Sequence, residues 1–217
     1  MIDIVKPNKN EEEFIETAAR LKLDGLVFYY PKISKHVTEK ISTLREKTQL
    51  KIFIASSSTG TDVNLYMVEK AGRKDIEKKP DIIFNQEKLH EKDYLTNPNS
   101  GLDQIICRIV KEKKVIIGFA FSVFLNSNPT ERIKLLPRIR QNILLCRKYK
   151  LDTAIFSFAE YPFQMRNLSD LRSFYFILGM QSLDSKRALE TLQERIAYNE
   201  KKKKGLIIAE GVEKVSE

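Results

Sequence analysis

The chain alternates short, continuously apolar runs with longer stretches whose apolar residues recur every three or four positions. Ile2–Val5 is a run of the first kind, and such a run suits a strand covered on both faces. Phe14, Ile15, Ala18 and Leu21 then share one helical face, and Asn10 with Glu13 has the spacing of a capping pair. The alternation continues along the chain. Gly25–Tyr29, Ile52–Ala55, a stretch through Val63, Leu65 and Met67, Asp81–Phe84, Val115–Phe119 and Thr153–Phe156 read as further strands. Helices are predicted near Ser34–Glu46 and Lys70–Lys79, the second stopped by Pro80.

Asn85–Asn99 is polar and reads as a loop. Beyond it, Ser100 with Asp103 resembles a capping box, and Leu102, Ile105, Ile106, Ile109 and Val110 form the clearest amphipathic stripe in the chain. A long helix is expected at about Thr130–Tyr149, kinked or divided at Pro137. Two more are expected, one capped by Ser169 or Asp170 and running through Leu178, the other capped by Asp184 and running to about Leu192.

Seven strands, most of them followed by a helix, predict an α/β fold: a TIM-like barrel of about seven parallel strands with outer helices. No GxGxxG or GxxxxGK[ST] loop follows any strand, which argues against a nucleotide-binding open sheet. The expected organisation is one barrel domain over residues 1–200 and a basic, flexible segment over 201–217, where Lys201–Lys204 form a solvated run. Leu206-Ile207-Ile208 could add a strand.

Composition narrows the class. Hydrophobic residues make up 42% of the 217, enough for a folded core. No apolar run approaches the roughly 20 residues that span a bilayer, and the N-terminus reads as a strand rather than a leader. Cys107 and Cys146 form no CxxC pair and are expected as buried, reduced thiols of a cytoplasmic protein.

The net charge of +9 is unevenly spread. Residues 101–150 hold 11 Lys and Arg against 3 Asp and Glu, so eight of the nine excess charges fall in one block. A folded block so biased attracts polyanions over about a Debye length.

Catalysis in such a barrel sits at the C-terminal ends of the strands. The residues there include Ser56–Ser58, Glu69, Asn85, Gln86, Ser122 and Ser157, with no histidine among them. The chain has only His36, on a predicted helix, and His90, in the polar loop. A phosphoesterase metal centre needs several His and carboxylate ligands at one rim. Ser56–Ser58 lack an evident general base. Asp3, Asp24, Asp62 and Asp81 lie near strand starts, the stability face. No catalytic or metal residue is therefore expected in this chain.

The basic residues offer an alternative chemistry. Gln104, Arg108 and Lys111 project opposite the Leu102–Val110 stripe. In the long helix Ile139, Ile143 and Cys146 face inward, while Arg140 with Arg147, and Gln141 with Lys148, share outward sides. Such side chains can hold RNA phosphates without reading sequence. Arg73, Arg166 and Arg172 are isolated candidates, each more typical of a surface charge or structural ion pair. Phe119, Phe121, Phe124, Phe156 and Phe158 fit alternating strand or rim positions and read as core before base-stacking platforms.

Several segments in order carry a family resemblance. They are Gly101-Leu102-Asp103 with the helix after it, Val115–Ser122, Arg138–Lys150, Asp170–Phe174 and Leu178-Gly179-Met180, with a weaker match at Arg73 and Asp81-Ile82-Ile83. The chain resembles the archaeal ribonuclease P protein component 3 family, related to the thirty-kilodalton subunit of eukaryotic ribonuclease P and MRP. The resemblance implies a barrel related to the polymerase-and-histidinol-phosphatase fold, without its metal site. It implies a non-catalytic subunit that binds ribonuclease P RNA, pairs with component 2 in a heterotetramer and supports removal of the 5′ leader from precursor tRNA. No cofactor is implied for this chain, and the holoenzyme RNA is expected to use Mg. The expected RNA-contacting residues are Arg73, Arg108, Lys111, Arg138, Arg140, Arg147, Lys148, Arg166 and Arg172. Ser157-Phe158-Ala159-Glu160 departs from the small Ser-Gly-Ala-like turn expected of the family. The competing readings are a metal-dependent phosphoesterase of the same fold and a basic barrel for another structured RNA.

Overall fold

A computed structural model describes residues 1–209 and 212–213. Seven strands form one parallel sheet in sequential order: β1 (Ile2–Val5), β2 (Gly25–Tyr30), β3 (Lys51–Ser56), β4 (Leu65–Glu69), β5 (Ile82–Phe84), β6 (Ile116–Ala120) and β7 (Thr153–Phe156). The sheet closes on itself just past β7. Lys6 N donates to Ala159 O and Phe158 N to Ile4 O, both at 2.8 Å. At this seam the buried Asp3 carboxylate accepts from Ser157 N at 2.7 Å and Ser157 Oγ at 2.6 Å. Burial pushes the Asp3 carboxyl up to about 6, although these donors pull it back. Asp3 is therefore a closing clasp and not part of a carboxylate cluster. Asp24 pairs with the N-terminal amine and Asp81 with Arg195.

The strands are apolar on both faces because each face is covered. Ile4, Val27, Met67, Ile82 and Phe156 pack inside the barrel, while Leu26, Phe28, Ile54, Ile83 and Phe119 pack beneath the helices. Gly118 is an inward position without a side chain. A Cβ there would lie 2.9 Å from the Phe156 ring and from Ile82 Cγ2, so its absence gives Phe156 room.

The outer helices are α1 (Glu11–Arg20), α2 (Lys35–Lys47), α3 (Arg73–Glu77), α4 (Gln104–Lys113), α5 (Ser122–Leu125), α6 (Pro129–Tyr149), α7 (Leu168–Ile177) and α8 (Ser182–Lys203). Several ends differ from expectation. Asn10 makes no cap bond: its Oδ1 accepts from Asn8 N at 2.8 Å, while its Nδ2 donates across to Glu160 O at 3.1 Å. Asp103 alone caps α4, accepting from Ile106 N at 2.7 Å, while Ser100 is buried. Asn167, not Ser169 or Asp170, caps α7. Pro137 lies inside one continuous α6. Phe121 and Phe124 sit at α5, where they pack with Phe174, and not on a strand.

The largest difference is α8. It runs to Lys203, so Lys201–Lys203 continue a helix instead of opening a loose segment. The helix crosses the N-terminal end of the barrel, where Leu192 and Ile196 join the interior cluster. Arg187 meets Asp152, Arg195 meets Asp81, and the Asn199 amide donates to Asn64 O at 2.9 Å. These contacts at the strand starts gave α8 more anchors than its weak apolar periodicity suggested. Ile207–Ala209 and Val212–Glu213 form a small antiparallel pair.

Candidate nucleic-acid interface

The C-terminal mouth of the barrel is closed by aromatic rings. Phe158 turns inward with a left-handed backbone, φ 49°, and packs within 4.8 Å of Phe84, 5.2 Å of Tyr29 and 6.1 Å of Phe156, centroid to centroid. The Phe158 that departs from the family turn is thus the stopper of the mouth. Glu160 beside it pairs with Lys6 at 2.8 Å. His36 and His90 are both exposed on separate elements. Among the described residues, no group of three or more His, Cys, Asp or Glu is placed to hold a metal ion.

The basic block folds into α4 and α6, which pack side by side over β5–β7. On α4, Ile106, Cys107 and Val110 are buried, leaving Gln104, Arg108 and Lys111 exposed. On α6, Leu135, Ile139, Ile143 and Cys146 point inward. One exposed stripe carries Ile133, Pro137, Arg140, Leu144 and Arg147, since residues three, four and seven apart share a helical side. Lys148 borders it, 5.7 Å from the Tyr149 ring. Arg108, Lys111, Arg140, Arg147 and Lys148 are in no ion pair among the described residues. Uncommitted guanidinium and ammonium groups on adjoining helices are suited to phosphate.

Four expected contacts are placed differently. Arg138 is buried, at 4% exposure. Its Nε donates to Asp93 Oδ1 at 2.7 Å, and its Nη1 to Glu87 O at 2.9 Å and His90 O at 2.6 Å. It pins the loop after β5 and has no face left for RNA, which corrects its assignment as a contact. Two residues make the difference: Arg138 falls beside the inward Ile139, Arg140 on the outer side. Arg172 is half-buried and joins α7 to α8 through Ser185 Oγ at 3.1 Å and Ser182 Oγ at 2.9 Å. Arg166 is half-buried, with Nη1 donating to Phe163 O and Met165 O at 2.8 Å. Both act mainly as structural ties, as isolated arginines often do. Arg73 is exposed at the start of α3 and lies 3.9 Å from Asp103, a loose ion pair.

The loop that Arg138 holds is tightly built. Gly101, at φ +80°, lies so close to Gln86 that a Cβ would fall 2.1 Å from Gln86 O, so only glycine fits. Asn142 Nδ2 donates to Ser100 O at 3.0 Å. Glu87 is buried there, and burial raises its carboxyl to about 7. Arg132 is likewise committed, to Phe124 O and Leu125 O. Lys134 and Lys150 are exposed cations of the same flank that the expected RNA-contacting residues did not include.

Residues 89–205 match the family described as RNase P subunit p30. The chain belongs to that family. Relatives over nearly full length include Ribonuclease P protein component 3 of Methanocaldococcus jannaschii, 27% identical over 100% of this chain and 98% of the relative. The component 3 protein of Methanococcus maripaludis is 28% identical over 95% of each chain. A chain in a cryo-EM structure of archaeal ribonuclease P with mature tRNA superposes with a TM-score of 0.73, at 25% identity, covering 100% of this chain and 99% of that one. The resemblance carried by the RNase P p30 motifs, and the seven-stranded barrel it implied, are both borne out. Among the described residues, no helix is long and apolar enough to cross a membrane.

Proposed function

We propose that this RNase P p30 family chain binds the catalytic RNA of ribonuclease P through the α4–α6 flank and supports removal of the 5′ leader from precursor tRNA. The observation that carries the reading is the row of exposed, uncommitted cations Arg108, Lys111, Arg140, Arg147 and Lys148 on two packed helices. Phosphates placed against them displace condensed counterions, and their neutralisation steadies the folded RNA with less Mg. The aromatic stopper in the mouth supports a subunit role in which the RNA carries the chemistry. Component 2 is the proposed protein partner, in a heterotetramer, and precursor tRNA is engaged through the assembly. The two cysteines are buried and unpaired, in keeping with a cytoplasmic setting.

Reconstitution tests this. The wild-type chain, mixed with the catalytic RNA and its protein partners, should raise precursor cleavage at limiting Mg, and give no cleavage alone. Arg140→Glu with Arg147→Glu should remove most of that stimulation while leaving the fold intact. Full stimulation by the double variant would sink the proposal.

A further inference from the structure

Eight described non-glycine residues have positive φ, and six of them are lysines. Four of these lysines stand just past helix ends: Lys22 after α1, Lys79 after α3, Lys114 after α4 and Lys150 after α6, with φ of 52–56°. Glycine is the usual residue at this position, because a Cβ is strained in the left-handed region. Glycine does fill it after α7, at Gly179, and near the end of α8, at Gly205. The negative end of the helix dipole favours cations near these sites, and the last turns of α1, α4 and α6 already hold Arg20, Lys111, Lys113, Arg147 and Lys148 in unstrained helical positions.

Three of the four turns are neighbours. They lead into β5, β6 and β7, adjacent strands whose starts are stitched by Ile116 N to Asp81 O and Ile117 N to Asp152 O, both at 2.9 Å. Carboxylates along this edge are largely consumed. Asp81 pairs with Arg195, Asp152 with Arg187, Asp75 with Lys78 and Glu112 with Lys113, which leaves exposed Glu77 and half-buried Asp184 as the nearby acids outside an ion pair among the described residues. Lys79, Lys111, Arg147 and Lys150 are exposed and in no ion pair among the described residues. Lys114 is engaged in a contact of its own, and the row does not depend on it. A groove of about 380 Å³ adjoins the row, lined by Arg147, Lys150 and Arg187 together with the carboxylates Asp152 and Asp184.

We infer that the N-terminal edge of the barrel over β5–β7 is a second RNA-backbone contact, continuous with the α4–α6 flank, in which Lys79 and Lys150 are held by strained turns to meet phosphates. The inference rests on the reading of the chain as an RNA-binding subunit and extends the contact around the barrel edge.

The strain supplies the test. Lys79→Gly with Lys150→Gly relieves two left-handed lysines while removing two charges. In binding of the full chain to full-length catalytic RNA across a salt series, the pair should weaken binding about tenfold at 0.15 M salt and lower the log–log salt slope by roughly 2. Its melting temperature should hold or rise. Lys22→Gly, at the same kind of turn beside β2, should match that thermal effect while changing RNA affinity less than about twofold. Lys79→Asn with Lys150→Asn, which keeps a residue tolerant of this backbone, replaces the glycine pair if that pair folds poorly. Wild-type affinity and slope in a folded pair would overturn the inference, as would lost affinity for a purified acidic protein partner with RNA binding intact. If Arg140→Glu with Arg147→Glu still abolishes RNA binding in that case, only this edge contact fails. If both pairs bind as wild type, the RNA reading itself fails.

Discussion

The mouth of this barrel and its α4–α6 flank are built on opposite plans. At the mouth, where α/β barrels usually place their chemistry, the space is filled by Tyr29, Phe84, Phe156 and Phe158. On the flank, apolar residues turn inward and charge turns out, and the outward cations have few partners. A fold known for its mouth can thus fill that mouth and leave its uncommitted charge on its side. The fold alone would have directed attention to the filled end.

The contrast can be broken in four ways. The largest effect is expected from Arg138→Ala, which strips the buried guanidinium from Asp93 and two loop carbonyls. It should cost about 3–5 kcal/mol in denaturant unfolding, whereas Arg140→Ala should change stability by less than about 0.5 kcal/mol. Equal costs would erase the distinction between the two arginines. Phe158→Ala should cost about 3 kcal/mol by leaving a cavity at the mouth, with no relief at φ 49° because alanine keeps its Cβ, and should leave RNA affinity per folded molecule unchanged. Loss of RNA binding by the folded variant would show that the mouth contributes to recognition.

Next in size, Arg140→Glu with Arg147→Glu should weaken RNA binding about a hundredfold at moderate salt, with a melting temperature within about 2 °C of wild type. An unaltered binding isotherm would deny the flank its role. The smallest effect is a pH dependence from the seam. The folded Asp3 carboxyl sits at about 6 against an ordinary 3.8, so the folded state binds the proton more readily than the unfolded chain. Its stabilising contribution is present below about 4 and is lost as pH rises through about 6. Asp3→Asn should flatten that part of the stability profile measured between pH 4 and 7. A wild-type slope in the variant would move the origin elsewhere, with Glu87, raised to about 7, next in line.

Much of this was legible in residue order alone. Continuous apolar runs such as Gly-Leu-Val-Phe-Tyr-Tyr declare a strand covered on both faces, and six such runs, an alternating one through Val63, Leu65 and Met67, and helical stretches between most of them declare a parallel barrel. The stripe Leu102–Val110 located α4 and, by exclusion, the exposure of Arg108 and Lys111. What residue order hid was long-range pairing. Arg138 and Arg140 look equivalent until the loop carrying Glu87, His90 and Asp93 is seen folded over the first. Asn10 looks like a cap until its oxygen is seen accepting from Asn8 N and its Nδ2 donating to Glu160 O, 150 positions away. The length of α8 was hidden because its polar residues are satisfied by the starts of distant strands. Backbone φ at Lys79, Lys114 and Lys150 leaves no mark in composition.

The crossing of α8 beneath the barrel also constrains how the protein comes into being. Leu192 and Ile196 complete an interior whose other walls begin at Ile2. During synthesis, the first seven strands leave the ribosome with the floor of the barrel still open to water. That apolar interior is sealed only when a helix ending at Lys203 emerges, so the nascent chain passes most of its translation as an unfinished vessel in need of protection from aggregation.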